Sequence, residues 1–373
     1  MIKKLFNIKR FFKKDIPVSS DELFLDMGSS SVKVGYKGHY YTFKSSIRPC
    51  DEMEVTFQQN AIQVNGQWYI VGESATKTAY TQFKYQKDYL EVLMLFALIQ
   101  ISNVYNIDFD TSLGVNMLLP YGEMNTIHYL RQKVEGVYQV KTNYLNTTDI
   151  NLKLNQVVVE GESSSHYLSN KYMKEKTNTC VINIGYGTTD VLVTNSHGHR
   201  EKLVSLKIGV QYLLSEICQH TNAPTSNILS SWLNDGYQFK DEELKVKTRV
   251  CREFLQMLQG ELNNTVFRTV NPQRLNICFC GGGALLIGGK LIKESFKSMK
   301  VITPTDEDCV YSDLKGMELI MYNDLKNLQK DIRESKIIEL KQKGMKHSEI
   351  AEVLGIGEST VANYMVKYNK GIV

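Results

Sequence analysis

Leu23-Phe24-Leu25-Asp26-Met27-Gly28-Ser29-Ser30-Ser31-Val32-Lys33-Val34-Gly35-Tyr36 decides the fold. Apolar Leu23 to Leu25 and the alternating Val32, Val34 and Tyr36 make two short strands, and the Gly-Ser turn between them closes a hairpin. The pattern returns as Cys180-Val181-Ile182-Asn183-Ile184-Gly185-Tyr186-Gly187-Thr188-Thr189-Asp190-Val191-Leu192-Val193. A third small-residue loop, Gly281-Gly282-Gly283, follows an apolar strand from Leu275 to Phe279. Such loops let backbone N–H groups approach a phosphate closely, because no side chain stands in the way. Asp26, at a strand end, suits the water shell of Mg²⁺, a hard cation that uses few carboxylates, and Lys33 offers a point charge to the phosphates. Two hairpins and a later glycine loop therefore predict an α/β chain whose two related lobes share one nucleotide.

Between these passages Gln67 to Gly72 and Val115 to Leu119 read as strands. Tyr89 to Ile101 is apolar and free of proline, long enough for a buried helix. Val157-Val158-Val159 leads through Glu160-Gly161-Glu162-Ser163 into a polar helix, and Lys245 to Leu262 keeps helical spacing. The 373 residues are 42% hydrophobic and 23% charged, enough core for two or three domains. Val92 to Ile99 is the longest apolar run and is too short to cross a bilayer. Seven scattered cysteines form no disulfide framework, which fits a cytoplasmic protein. Cys278 and Cys280 share one strand face as core thiols, and His197-Gly198-His199 reads as a solvated turn. Of the net charge of +4, six cations lie in Met1 to Lys14, leaving 38 bases against 40 acids. That tail is no secretory signal, since no apolar region with a small-residue cleavage site follows it.

In their order, Asp26-x-Gly-Ser, Asn183-x-Gly-x-Gly-Thr-Thr-Asp and Cys280-Gly-Gly-Gly-Ala-Leu-Leu resemble the phosphate-1, phosphate-2 and adenosine motifs of the actin, sugar kinase and Hsp70 superfamily, over roughly Asp21 to Lys330. Val159-Glu-Gly-Glu-Ser163 and Tyr311-Ser-Asp-Leu-Lys-Gly316 make the chain look most like plasmid-segregation actins of the ParM type. The resemblance implies an actin-like ATPase fold of two RNase H-like domains around a nucleotide cleft, and polymerisation. It implies ATP (or GTP) with Mg²⁺ as cofactors, with Asp26 holding the metal through water. Gly28, Ser29, Ser30 and Lys33 would surround the phosphates. Asn183, Gly185, Gly187 and Thr188 would form the second phosphate loop, and Gly281, Gly282 and Gly283 would face the adenosine. Glu162 is matched to the glutamate that orients the attacking water, with Glu160 as the alternative. One departure stands out: the family usually carries Asp where this chain has Asn183, a neutral amide that adds no charge to the metal shell. Slow hydrolysis is expected, faster in an Asn183→Asp variant, unless Asp190 compensates.

The last segment changes character. His347 to Met365 places Ile350, Leu354, Ile356, Val361 and Tyr364 on two helix faces around Gly355, the spacing of a helix-turn-helix. Its second helix would present Ser359, Thr360, Asn363 and Lys367 to DNA. Asp331 to Val373 carries seven cations and six acids, so one copy binds weakly and a filament of copies gains by avidity. The expected organisation is a basic tail (1–20), actin-like domain I (21–180), domain II (181–304), a return segment (305–330) and a small all-α helix-turn-helix DNA-binding domain (331–373). The expected function is an ATP-dependent filament that segregates plasmid DNA, its partners being other copies of itself, a centromere-like DNA site and a separate adaptor protein of the ParR kind where one exists, with no membrane partner. The competing readings are a nucleotide- or ligand-sensing transcription regulator and a membrane-associated cytoskeletal actin.

Overall fold

A computed structural model describes residues 22–369, except 56–57, 59, 76–85, 87, 174–176, 223, 226–227 and 229–238. The basic tail lies outside the described residues. The chain forms two compact bodies, one spanning Ser19–Leu319 and one beginning at Ile320.

In the larger body, β1 (Glu22–Met27), β2 (Ser31–Tyr36), β3 (His39–Lys44), β4 (Ile47–Cys50), β5 (Ala61–Val64), β6 (Gln67–Val71), β7 (Ser112–Leu119), β8 (Gly136–Thr142) and β9 (Thr148–Val159) make one sheet in the order β3-β2-β1-β7-β9-β8-β5-β6-β4. A second sheet is formed by β10 (Thr179–Ile184), β11 (Thr189–Thr194), β12 (Arg200–Leu206), β13 (Asn276–Cys280) and β14 (Lys300–Ile302), in the order β12-β11-β10-β13-β14. Set side by side, β3-β2-β1-β7-β9 and β12-β11-β10-β13-β14 are one topology used twice. In each, a three-stranded antiparallel meander continues into two parallel strands. The repeated hairpin of the sequence is the start of each copy.

Helix α1 (Leu90–Tyr105) is buried at nearly every position from Leu90 to Ser102 and lies on the first sheet. Its apolar run is therefore core, and no described helix is long and apolar enough to cross a membrane. The first sheet continues through α2 (Ile127–Val134), and β9 leads directly into α3 (Glu160–Tyr172). Helices α4 (Val210–Thr221) and α5 (Asp241–Thr265) cover the second sheet, Val250, Phe254, Leu255, Leu258 and Leu262 being buried. Helix α5 starts four residues before the apolar spacing does, because Asp241, Glu242 and Glu243 favour the positive helix end and the Glu243 carboxylate accepts the Lys240 N–H at 2.8 Å. Short helices α6 (Gly282–Ile287) and α7 (Gly289–Ser295) follow β13, and α8 (Asp306–Gln342) gives its residues up to Leu319 to the larger body. All seven cysteines are free thiols; Cys278 and Cys280 share one core cluster. The His197–His199 segment is a turn closed on the Asn195 side chain.

In the smaller body the end of α8, α9 (His347–Leu354) and α10 (Glu358–Asn369) close around Ile337, Leu340, Ile350, Ala351 and Val361. Gly355 ends α9 with φ of 63°, a left-handed residue that suits glycine.

Candidate functional site

The two hairpins place equivalent residues in equivalent registers. Asp26 lies opposite Lys33 across β1 and β2, and Asn183 lies opposite Asp190 across β10 and β11. Both turns are tied back by their carbonyls. Ser29 O accepts from Ser45 Oγ at 2.7 Å and Ser30 O from Ser45 N at 3.1 Å. In the second turn, Gly185 O accepts from Val210 N at 2.9 Å and Tyr186 O from Gln211 N at 2.8 Å. A trans peptide points its N–H opposite to its C=O, so the amides of Ser30 and Ser31, and of Tyr186 and Gly187, face the other way. Successive amides turned outward make an anion cradle. Glycine at 209 is required beneath the second turn, because a Cβ there would lie 2.6 Å from Tyr186 O and 2.7 Å from Gly185 O.

A chain of contacts connects the loops. Lys33 Nζ stands 2.9 Å from Asp26 Oδ2 and 3.7 Å from Oδ2 of Asp313, on the first turns of α8. Asn183 Nδ2 donates to both Asp313 oxygens, at 3.1 and 3.4 Å. Gly281, with φ of 84°, abuts Asn183 and Ile184, where an added Cβ would sit 2.6 Å from Ile184 O. Gly283 packs its bare Cα on Ile184. The first phosphate-type loop, the second, the triple glycine and α8 thus meet at one place. Burial, joined by the charges of Asp26 and Glu160, raises the Asp313 carboxyl well above its ordinary range, against Lys33 and the Asn183 hydrogen bond, which lower it.

Helix α8 is locked into this place. Ser163 Oγ donates to Asp313 O, and Gly316 passes so near the Ser163 backbone that any Cβ would collide with it. Asp308, 1% exposed, accepts from Tyr167, Tyr172, Lys171 and Lys315; these hydrogen bonds hold it below the usual carboxylate range although burial alone would raise it. Tyr40 of β3 donates to Glu318 Oε2 at 2.6 Å, and burial pushes Glu318 up to about 7.

Glu160 and Glu162 open α3 two residues apart and so leave it in different directions. Glu162 is held by Arg200 at 2.6 Å, whose guanidinium lies over the Tyr121 ring. Glu160 is the one whose charge bears on Asp313. The structure therefore brings Asp26, Lys33, Asn183, Gly281 and the two turns together, and engages Glu162 elsewhere. No local pattern in the sequence marks the roles of Asp313, Gly209 and Ser163; the small Gly316 in Tyr311-Ser-Asp-Leu-Lys-Gly316 is the available signal of a close helix crossing. Ser359, Thr360, Asn363 and Lys367 are all exposed along α10 in the smaller body.

These residues fit a nucleotide with Mg²⁺. The outward amides suit phosphate oxygens, and Asp26 and Asp313 offer the few hard oxygens that a hydrated Mg²⁺ takes. Among the described residues, no group of three or more His, Cys, Asp or Glu converges as a ready-made metal site, so a metal here would draw on water and phosphate as well.

Comparison with known proteins agrees with this architecture. Residues 25–162 match the family model of the actin-like proteins' N-terminal domain. The archaeal actin homolog Ta0583, in complex with ADP, superposes with a TM-score of 0.65 at 18% identity, over 81% of this chain and 99% of that one. Alp7A, an actin-like protein, gives 0.66 at 13% identity over 84% and 99%. A ParM from a 15-stranded filament of Clostridium botulinum gives 0.62 at 14% identity over 80% and 99%. No curated protein matches by sequence. The chain has the actin-like fold, with an added all-α body at its C-terminus.

Proposed function

We propose that this protein is an ATP-dependent, filament-forming actin-like protein that segregates plasmid DNA through its own C-terminal helix-turn-helix. The observation that carries the nucleotide half is the contact chain Asp26–Lys33–Asp313–Asn183–Gly281, which joins three loops far apart in sequence. The ADP in the Ta0583 structure and the filament of the Clostridium botulinum ParM support binding and self-association. The turn amides and Lys33 would hold the phosphates, Asp26 the metal's water shell, and Gly281 to Gly283 the nucleoside side. Bound Mg²⁺ would neutralise charge developing on the phosphates during transfer. Of the two glutamates, Glu160 takes the water-orienting role, because Arg200 holds Glu162. The basis of the DNA half is the exposed set Ser359, Thr360, Asn363 and Lys367, spaced along one side of a helix that a tight Gly355 turn sets against α9.

Light scattering and electron microscopy of the purified protein test the first half: filaments are expected with ATP and Mg²⁺ and not without nucleotide. Removal of residues 331–373 tests the second, with loss of retention on DNA from its own replicon and unchanged ATP-dependent scattering. Equal DNA retention after the deletion would refute the fused adaptor. Absence of ATP-dependent assembly together with ligand-dependent DNA binding would favour the regulator.

A further inference from the structure

We infer that Asp313 on α8, and not residue 183 on the second hairpin, supplies the second carboxylate of the metal shell; this rests on the nucleotide reading above. Asn183 stands at the strand position equivalent to Asp26 and has no charge to give. Its side-chain amide instead donates to both oxygens of Asp313, at 3.1 and 3.4 Å, fixing the orientation of that carboxylate. Asp313 is 3% exposed, and its backbone carbonyl is anchored by Ser163, so it comes to the site on a braced helix. Lys33 bridges it to Asp26, at 3.7 and 2.9 Å. With Mg²⁺ bound, Asp26 and Asp313 would hold its water shell as two hard-oxygen carboxylates, and Lys33 would serve the phosphates as a point charge.

Positions 183 and 313 then carry one negative charge between them. An aspartate at 183 would bring carboxylate oxygens to the present amide distance, about 3 Å, from those of Asp313, a repulsion that the neutral amide avoids. In this chain the charge of the pair thus sits on the helix and not on the hairpin. The expectation that Asn183→Asp restores a faster enzyme is reversed: alone it is harmful, and it becomes tolerable only when Asp313 is neutralised.

The test is calorimetric titration of the full-length protein with ATP, in Mg²⁺ and in excess EDTA, for the wild type, Asp313→Asn, Asn183→Asp and the double exchange, with thermal melting of each. For the wild type, Mg²⁺ should tighten ATP binding at least tenfold. Asp313→Asn should lose most of that gain while binding metal-free ATP at least as well, since one repelling charge is gone. Asn183→Asp should melt at lower temperature than the wild type, and the double exchange should recover both melting and at least half of the logarithmic Mg²⁺ gain. Full Mg²⁺ gain in a folded Asp313→Asn protein overturns the assignment and leaves the nucleotide reading standing. So does an Asn183→Asp protein that melts like the wild type and binds Mg²⁺-ATP more tightly. A wild type that binds no ATP in either buffer overturns both.

Discussion

The two hairpins share a backbone and differ in charge. Both present a polar residue just before a small-residue turn, both pair it across the strands, and both turn their peptide carbonyls inward. In the first the pair is Asp26 with Lys33, two opposite charges bonded at 2.9 Å. In the second it is Asn183 with Asp190, and the hydrogen bonds from Asn183 go to Asp313 on another element. A duplicated topology therefore repeats the shape of a phosphate loop without repeating its electrostatics. The first hairpin pairs two charges of its own before it meets α8; the second brings α8 only a neutral amide.

The largest effects test the shared backbone. Gly281→Val should cost more than about 4 kcal/mol and leave the protein unfolded or aggregated, since φ is 84° and a Cβ there meets Asn183 and Ile184. Gly187→Ala, where a Cβ meets nothing within 4 Å, should stay within about 1 kcal/mol by urea unfolding. Equal losses at both positions would break the picture of a tight third loop beside an open second one.

The difference in charge is tested next. Lys33→Met removes the cation between the buried Asp26 and Asp313 carboxylates and should cost about 3 kcal/mol by urea unfolding, whereas Asp190→Asn, at the matching register of the other hairpin, should cost under about 1. Between the lobes, Glu160→Gln should lower ATP turnover about 100-fold and Glu162→Gln less than about threefold, the latter losing only a half-exposed ion pair. The reverse ranking would return the water-orienting role to Glu162.

The smallest effect concerns the contact of the first meander with Glu318 of α8. A Cβ on Gly35 would lie 3.1 Å from Glu318 Oε1, and Tyr40 beyond it bonds the same carboxyl. The folded protein raises this group from 4.5 to about 7, so it favours the protonated form. The stability it contributes is complete below about pH 4.5 and is lost as pH rises through about 7. Glu318→Gln should remove that part of the slope and stabilise the protein at pH 8 by about 1–2 kcal/mol, read from urea unfolding at pH 5 and pH 8. An unchanged slope would remove Glu318 from the account.

Much of this was legible in the sequence because strand alternation and small-residue turns are local signals. Leu23 to Tyr36 and Cys180 to Val193 contain all that their hairpins require, and the apolar run within Tyr89 to Ile101 declares a buried helix. The site was legible only where a loop supplies it. Asp313 escaped because its value depends on Ser163, Asn183 and Lys33, each from another element, and nothing in Tyr311-Ser-Asp-Leu-Lys-Gly316 reveals which way its carboxylate faces. Glu162 and Glu160 are hard to rank from sequence for the same reason: two acids two positions apart look alike until Arg200, far along the chain, pairs with one of them. Gly209 lies outside every glycine motif, yet its bare Cα makes room for the Gly185 and Tyr186 carbonyls that Val210 and Gln211 hold.

The central claim is that these turns grip one nucleoside triphosphate. Calorimetry of ATP with Mg²⁺ on the wild type and on Gly187→Asp tests it most directly, because that substitution places a negative charge in the cradle at a position where a Cβ meets nothing within 4 Å. The account predicts one site per chain in the wild type and at least a tenfold weaker site in a Gly187→Asp protein of unchanged melting temperature. Equal affinity in the two proteins, or no binding in the wild type, would contradict it.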